Sequence, residues 1–270
     1  MIEDENFRRI VQWFEGKGRT IVAFSGGLDS TLVAAAAKEA LGDDALLVTV
    51  KDEFMGERAL EEAISTARLL DAKHRVVRVD LPEEVLENKP ERCYLCKKCV
   101  LQRLLQLKNE LGFDTIVDGT NSDDLETDRP GLKALKEFGT RSPLAELGIR
   151  KNEVMRLNMA LGLDYEKPSM PCYATRFPFG HKITPEEVRM VEEAERIIRE
   201  KGLRLVRVRV HGKLARIEVG RGEMGSFLDE PFRSSITAEL KKLGFVYVTL
   251  DLEGYRAGSM ASANGQQRST

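Results

Sequence analysis

No run in this 270-residue chain is apolar and long enough to span a bilayer, and no secretory leader pattern is found. Both absences make the cytoplasm the expected compartment and leave membranes out of the expected partners. An excess of either charge is lacking too. Lys and Arg number 42 against 44 Asp and Glu, a formal net charge of −2. A chain so balanced has no global basic field to recruit nucleic acid. Cysteine is scarce, four in all, yet three of the four crowd together at Cys93, Cys96 and Cys99. That clustering argues for metal or redox chemistry rather than a disulfide framework. There is no internal repeat. What is present is an apolar fraction of 42%, enough for an ordinary folded core. The length suits one large domain or two modest ones.

The most informative stretch is Phe24-Ser25-Gly26-Gly27-Leu28-Asp29-Ser30-Thr31. Thr20–Phe24 ahead of it is short, apolar and β-branched, which predicts a buried strand. Thr31–Lys38 behind it predicts a helix. A strand, a glycine turn and a helix start form an anion site, because backbone N–H groups and the positive dipole end converge there. Gly26 and Gly27 let the backbone come close to a phosphate, and Ser25 and Ser30 add hydroxyl donors. No Lys follows the glycines, so this is not G-x-x-x-x-G-K-[ST]. The string resembles instead the SGGxDS loop of the PP-loop ATP pyrophosphatases, which bind ATP and cleave it to AMP and pyrophosphate. That resemblance makes Ser25, Gly26, Gly27, Asp29 and Ser30 the expected ATP loop. The plain alternative is a strand-to-helix turn with two glycines.

Along the chain, Phe7, Ile10, Val11 and Phe14 predict an amphipathic helix over 3–16. Strands are predicted at 45–50, 74–79 and 115–117. Helices are predicted at 56–70 and 92–111, with a short helix or irregular segment at 82–89 and another helix at 150–163. Alternating strands and helices mean βαβ units and a doubly wound parallel sheet, an α/β fold. Ligands in such sheets sit at the carboxyl ends of strands. A domain boundary is expected near 180, giving an ATP domain at 1–180, a smaller C-terminal α+β domain at 181–260, and a disordered tail at 261–270. Thr184-Pro185-Glu186-Glu187 is a helix start, with Thr as N-cap, Pro at N1 and Glu at N3. That helix runs to about 201. A hairpin at 203–219, a helix at 234–242 and a strand at 245–250 complete the second domain.

Three further places carry chemistry. Gly119–Asp124 follows a predicted strand end. Thr120 and Asn121 offer a hydroxyl and an amide beside the nucleotide, and Asp123 or Asp124 could hold Mg²⁺. The alternative is an Asx-rich turn. The loop 166–180, with three prolines, holds Cys172 close to Arg176; an adjacent cation favours the thiolate. An inert buried Cys is the commoner fate. In Val206–His211 the period is two, so Arg207 and Arg209 share one face and can grip a phosphate. A solvated outer sheet face is the alternative.

Together these pieces resemble the LarE-type sulfur transferases of the PP-loop superfamily. The matching residues are Ser25–Ser30, Arg92-Cys93-Tyr94-Leu95-Cys96-Lys97, Asp118–Asp124, Arg129-Pro130-Gly131, Ser142-Pro143-Leu144, Lys167–Gly180 and Gly244–Met260. Tyr173 and Thr175 stand where the family pattern has Leu and Ser, and Cys99 has no place in it. The resemblance implies an AMP- and pyrophosphate-forming enzyme of nickel-pincer nucleotide biosynthesis. Its implied substrate is a nicotinate-derived mononucleotide whose pyridine carboxylates are adenylated and then thiolated. ATP and Mg²⁺ are implied cofactors, with sulfide or another donor supplying sulfur. Self-association stays open.

The resemblance leaves two sources for the transferred sulfur. In one, Cys172 is sacrificed and becomes dehydroalanine. In the other, Cys93, Cys96 and Cys172 hold a 4Fe–4S cluster whose fourth iron carries an extra sulfide. On a helix Cys93 and Cys96 lie roughly 60° apart and can share a ligand, while Cys99 lies roughly 120° from Cys93. The cluster is preferred, because sacrifice alone leaves Cys93 and Cys96 without a task. A Cys₄ zinc site and a bare C-x-x-C are the structural alternatives. A tRNA thiolase of the same superfamily is the nearest functional rival, and the net charge argues against it. A non-catalytic adenine-nucleotide sensor leaves Cys172 unexplained.

Overall fold

The computed structural model describes residues 4–126, 130–166, 170–256 and 258–262. The chain divides into two compact units: residues 1–81 with 93–170, and residues 82–92 with 171–270. The second unit thus starts at 171 rather than near 181, and it also takes in a short segment from the middle of the sequence. Of the tail expected at 261–270, residues 261 and 262 close a short helix, and the rest lies outside the described residues. Arg129 and the Lys167–Ser169 piece of the family pattern lie outside them too.

In chain order the elements of the first unit are α1 (Glu5–Trp13), β1 (Thr20–Ala23), α2 (Leu28–Leu41), β2 (Ala45–Lys51), α3 (Glu57–Leu69) and β3 (His74–Arg78). After α4 (Glu83–Leu86), which belongs to the second unit, come α5 (Arg92–Leu111) and β4 (Thr115–Val117). Four helices follow: α6 (Ser122–Leu125), α7 (Pro130–Glu137), α8 (Pro143–Glu146) and α9 (Lys151–Ala160). The strands form one sheet in the order β3-β2-β1-β4, every pair parallel. Successive residues of a strand face opposite sides. Val22 and Leu47 accordingly join a core with α1, α2 and α9, while Ile21 and Val48 join another with Leu101, Leu104 and Leu107 of α5. Two cores on two faces make the sheet doubly wound, as the alternation of elements implied.

The order places β2 on one side of β1 and β4 on the other. The direction in which strands are added to the sheet reverses between β1 and β4, and a crevice opens at their carboxyl ends. No helix among the described residues is long and apolar enough to cross a membrane.

The second unit holds α10 (Pro185–Glu200), β5 (Val206–His211), β6 (Leu214–Val219), α11 (Glu230–Lys242), β7 (Tyr247–Leu250) and α12 (Ser259–Ser262). Thr184 caps α10 in a capping box with Glu187, and Pro185 opens it, as the sequence indicated. β5 and β6 are an antiparallel hairpin, but β7 joins β6 in parallel. Val206, Val208 and Val210 are buried. So are Arg207 and Arg209 on the other face, which overturns the solvated-face alternative for this strand.

Candidate active site

β1 delivers the chain to Phe24, whose N–H still bonds the Val48 carbonyl at 2.9 Å, and then to the glycine turn. Gly26 adopts φ +71°, and a Cβ there would meet the Ala63 Cα in α3 at 2.7 Å. Only glycine satisfies both demands. Gly27 caps α2 with no side-chain hydrogen bond, which directs the first N–H groups of the helix toward the turn. Ser30 Oγ donates to the Gly27 carbonyl at 3.1 Å and accepts from Ser25 N at 3.3 Å, pinning the loop closed.

The segment after β4 completes the crevice. Asp118 is buried, and its carboxylate accepts from Thr120 N, Thr120 Oγ1, Ser142 Oγ and Lys97 Nζ at 2.7–3.3 Å. A Cβ on Gly119 would lie 2.7 Å from Ser30 N, so the absence of a side chain lets this segment touch the loop. Asn121 to Asp124, expected as ligands beside the nucleotide or as an Asx turn, instead starts a helix. Asn121 is the N-cap of α6 in a capping box with Asp124. Its Nδ2 donates to Asp29 Oδ1 at 3.0 Å, so Asn121 holds a loop residue rather than lining the space.

Between these segments lies a cavity of about 300 Å³. Ser25, Gly27, Asp29, Ser30, Thr120 and Asp124 all line it, six of the expected nucleotide residues. Gly26 and Asn121 stand behind them. Apolar walls come from Val48, Val50 and Leu104. Asp123 is turned away, bonding Arg150 Nη1 at 3.0 Å and Lys151 N at 2.8 Å. Of the two carboxylates expected for Mg²⁺, Asp124 is therefore the one on the wall. Hard carboxylate oxygens from Asp29 and Asp124 suit a Mg²⁺ that arrives with a nucleotide.

Lys97, Val100 and Leu104 line the cavity from α5. Cys93 precedes Lys97 by four residues, a turn of roughly 40°, so its exposed thiol continues the same helix stripe. Cys96 is half-buried, and its Sγ donates to Asp52 Oδ2 at 3.6 Å. Burial pushes the Asp52 carboxyl above its ordinary value, and burial likewise pushes the Cys99 thiol up.

In the second unit, Cys172 is exposed at the head of a 3₁₀ turn, Tyr173–Arg176. Arg176 is buried and ion-paired with Glu195 of α10 at 2.8 Å. Arg209 Nη2 pairs with Glu218 Oε2 at 2.8 Å, and its Nη1 bonds the Thr175 carbonyl at 2.9 Å. Arg207 lies over the Tyr255 ring. Burial, then the nearby Arg176 charge, disfavours the protonated form of Arg207. Arg176 and Arg199 pair with Glu195, Arg209 and Arg216 pair with Glu218, and Arg216 also faces Asp251.

Among the described residues no three His, Cys, Asp or Glu side chains are grouped to hold a metal ion. Cys93 and Cys96 belong to the first unit and Cys172 to the second.

Comparisons with known proteins place the chain in a family. Pyridinium-3,5-bisthiocarboxylic acid mononucleotide synthase of Lactiplantibacillus plantarum is 37% identical over 246 residues, 90% of this chain and 88% of that one. The chain belongs to the LarE family of PP-loop ATP-dependent sulfur transferases. An uncharacterized protein of Synechocystis sp. is 39% identical over 95% of this chain and 96% of its own. Another, from Methanocaldococcus jannaschii, is 34% identical over 88% and 91%. A family model described as NAD synthase matches residues 5–100, the span from α1 through the SGGxDS loop into α5.

Within this LarE-family chain, residues to which sequence reasoning gave no role, Lys97 and Ser142 of the family pattern among them, hold the site together. Lys97, Ser142, Lys151, Glu195 and Glu218 each grip an expected residue or its neighbour. Lys151 had one local signal. It opens α9, where the helix dipole disfavours a cation.

Proposed function

We propose that this enzyme adenylates the carboxylates of a pyridinium dicarboxylate mononucleotide and converts them to thiocarboxylates. The observation that carries the reading is the crevice between β1 and β4, walled by the SGGxDS loop and by Thr120 and Asp124. The name of the Lactiplantibacillus plantarum relative supplies the substrate class. A carboxylate resists sulfur because oxide is a poor leaving group. Its oxygen therefore attacks the α-phosphorus of ATP, the bond to the β-phosphate breaks, and pyrophosphate departs. The N–H groups at the start of α2 stabilise charge on that leaving group. Mg²⁺, when bound, would neutralise the same charge. A sulfur nucleophile then attacks the acyl carbon and AMP leaves.

For the nucleophile, we favour the sacrificial route over the 4Fe–4S cluster. Two observations support Cys172 alone. Its thiol is exposed, and its turn is anchored through Arg176, whose Nη1 donates to the Pro171 carbonyl at 3.0 Å. The thiolate forms a thioester with the acyl group as AMP departs. Loss of the Cα proton and cleavage of the Cβ–S bond leave dehydroalanine at 172 and sulfur on the product. Arg207 and Arg209 are proposed to hold the mononucleotide phosphate, a role that two guanidinium groups on one strand face support.

Incubation with ATP, Mg²⁺ and the carboxylated mononucleotide should yield AMP and pyrophosphate. Asp29→Ala or Ser30→Ala should lower that yield sharply. ADP and phosphate as products would contradict the reading. Mass spectrometry after turnover should show loss of the elements of hydrogen sulfide at Cys172. Iron and acid-labile sulfide in anaerobic protein, with Cys172 intact after turnover, would restore the cluster.

A further inference from the structure

The phosphate loop lacks the lysine that a P-loop carries, and its cavity is acidic. Asp29, Asp118 and Asp124 line it, with Lys97 the cation among the lining residues, and Lys97 is held by Asp118 at 3.3 Å. A polyphosphate brought into such a space needs further positive charge. Lys151 stands where that charge is required. Its Nζ lies 2.5 Å from Asp29 Oδ2, a carboxylate on the cavity wall and in the first turn of α2. An ammonium carries three N–H groups, and the Lys151 side chain is 43% exposed.

The backbone around Lys151 is fixed. Its N–H bonds Asp123 Oδ2 at 2.8 Å, and Arg150 bonds Asp123 at 3.0 Å and Glu126. Farther along α9, Asn158 Nδ2 donates to the Leu28 carbonyl at 3.1 Å, tying the helix to the start of α2. The backbone of Lys151 is thus anchored beside the loop, and its side chain stays partly exposed. Its place at the head of α9 works against the helix dipole, so helix stability does not account for a lysine there.

We propose that Lys151 is the phosphate-loop cation of this enzyme. It neutralises Asp29 in the empty loop and donates to the pyrophosphate end of bound ATP, the end that becomes the leaving group. This rests on the ATP reading above and assigns that site a residue 122 positions from its loop in sequence.

The test is equilibrium binding of ATP, inorganic pyrophosphate and AMP, each with Mg²⁺, to the full-length wild type, Lys151→Met and Lys151→Arg. Loss of one charge-assisted contact should weaken ATP and pyrophosphate roughly 10–100-fold in Lys151→Met. AMP, which lacks the pyrophosphate, should bind as before, and Lys151→Arg should recover most of the loss. Equal weakening of ATP and AMP would mean that Lys151 only scaffolds the loop, and would overturn the proposal. So would unchanged ATP binding. If Lys151→Met does not fold, Lys151→Gln is read in its place. Wild-type protein that binds neither ATP nor pyrophosphate overturns the nucleotide reading itself, and Lys151 with it.

Discussion

Arg176 Nε lies 2.8 Å from Glu195 Oε1, with the two side chains only 3% and 1% exposed. The second pair of atoms, Nη2 and Oε2, closes to 3.2 Å, so the contact is bidentate. Arg176 Nη1 also donates to the Pro171 carbonyl and to Thr175 Oγ1 at 2.9 Å. One carboxylate on α10 therefore fixes the turn that presents Cys172.

Removing one charge of a buried pair leaves the other uncompensated. Glu195→Gln should destabilise the protein by about 3–5 kcal/mol in urea unfolding. Replacing both residues, as Arg176→Met with Glu195→Leu, should cost less than the single change. A single-variant loss within the noise of the assay would mean that the pair contributes little.

The same pair sets an acid limit. Burial raises the Glu195 carboxyl, but the charges of Arg176, Arg207 and Arg199 outweigh it and hold the group below its ordinary value. A carboxyl depressed in the folded state stabilises fully above its unfolded pKa, and that share is lost as pH falls through the folded one. Wild-type stability should thus fall only below the ordinary carboxylate range, with Glu195→Gln showing a shallower fall there. Parallel pH profiles of unfolding free energy would refute this.

Gly119→Ala should separate the two halves of the nucleotide crevice. The new Cβ would lie 2.7 Å from Ser30 N and 3.0 Å from the Asp29 carbonyl carbon, both backbone atoms. Overpacking of this kind costs about 1–3 kcal/mol. ATP affinity, measured by calorimetry, should fall more than stability alone explains. Gly222→Ala, with nothing within 4 Å of its Cβ, serves as the control and should leave ATP affinity unchanged.

Arg207 and Arg209 should behave differently although they share a strand face. Glu218 is wholly buried and bonds Arg209, Arg216 and Ser259. Arg209→Ala should therefore cost stability as well as substrate affinity. Arg207→Ala should chiefly raise the KM for the mononucleotide, roughly 10–100-fold, while ATP binding holds. An unchanged KM in both variants would leave the arginines a purely structural task.

The sequence by itself determined the α/β class, the strand-turn-helix of the ATP loop and the capped start of α10. These are local. They follow from side-chain period, from glycine at φ +71° in Gly26, and from the short reach of a Thr184–Glu187 capping box. The sequence also named Thr120 and Asp124, because they follow a strand end and ligands gather there. Tertiary structure alone decided the rest. Strand order brings the segment after β4 against the loop after β1, and no local pattern encodes that order. Alternation in Val206–His211 shows that two faces exist, but only packing reveals that the arginine face is covered. α6 was missed for a related reason: four residues are too few to show a helical period, and the capping box formed by Asn121 and Asp124 looks like a polar turn. Lys151 and Asp29 are 122 residues apart, and their partnership exists only once α9 is laid beside α2. Charge pairing across such separations depends on distance in space, which a linear pattern of residues does not contain.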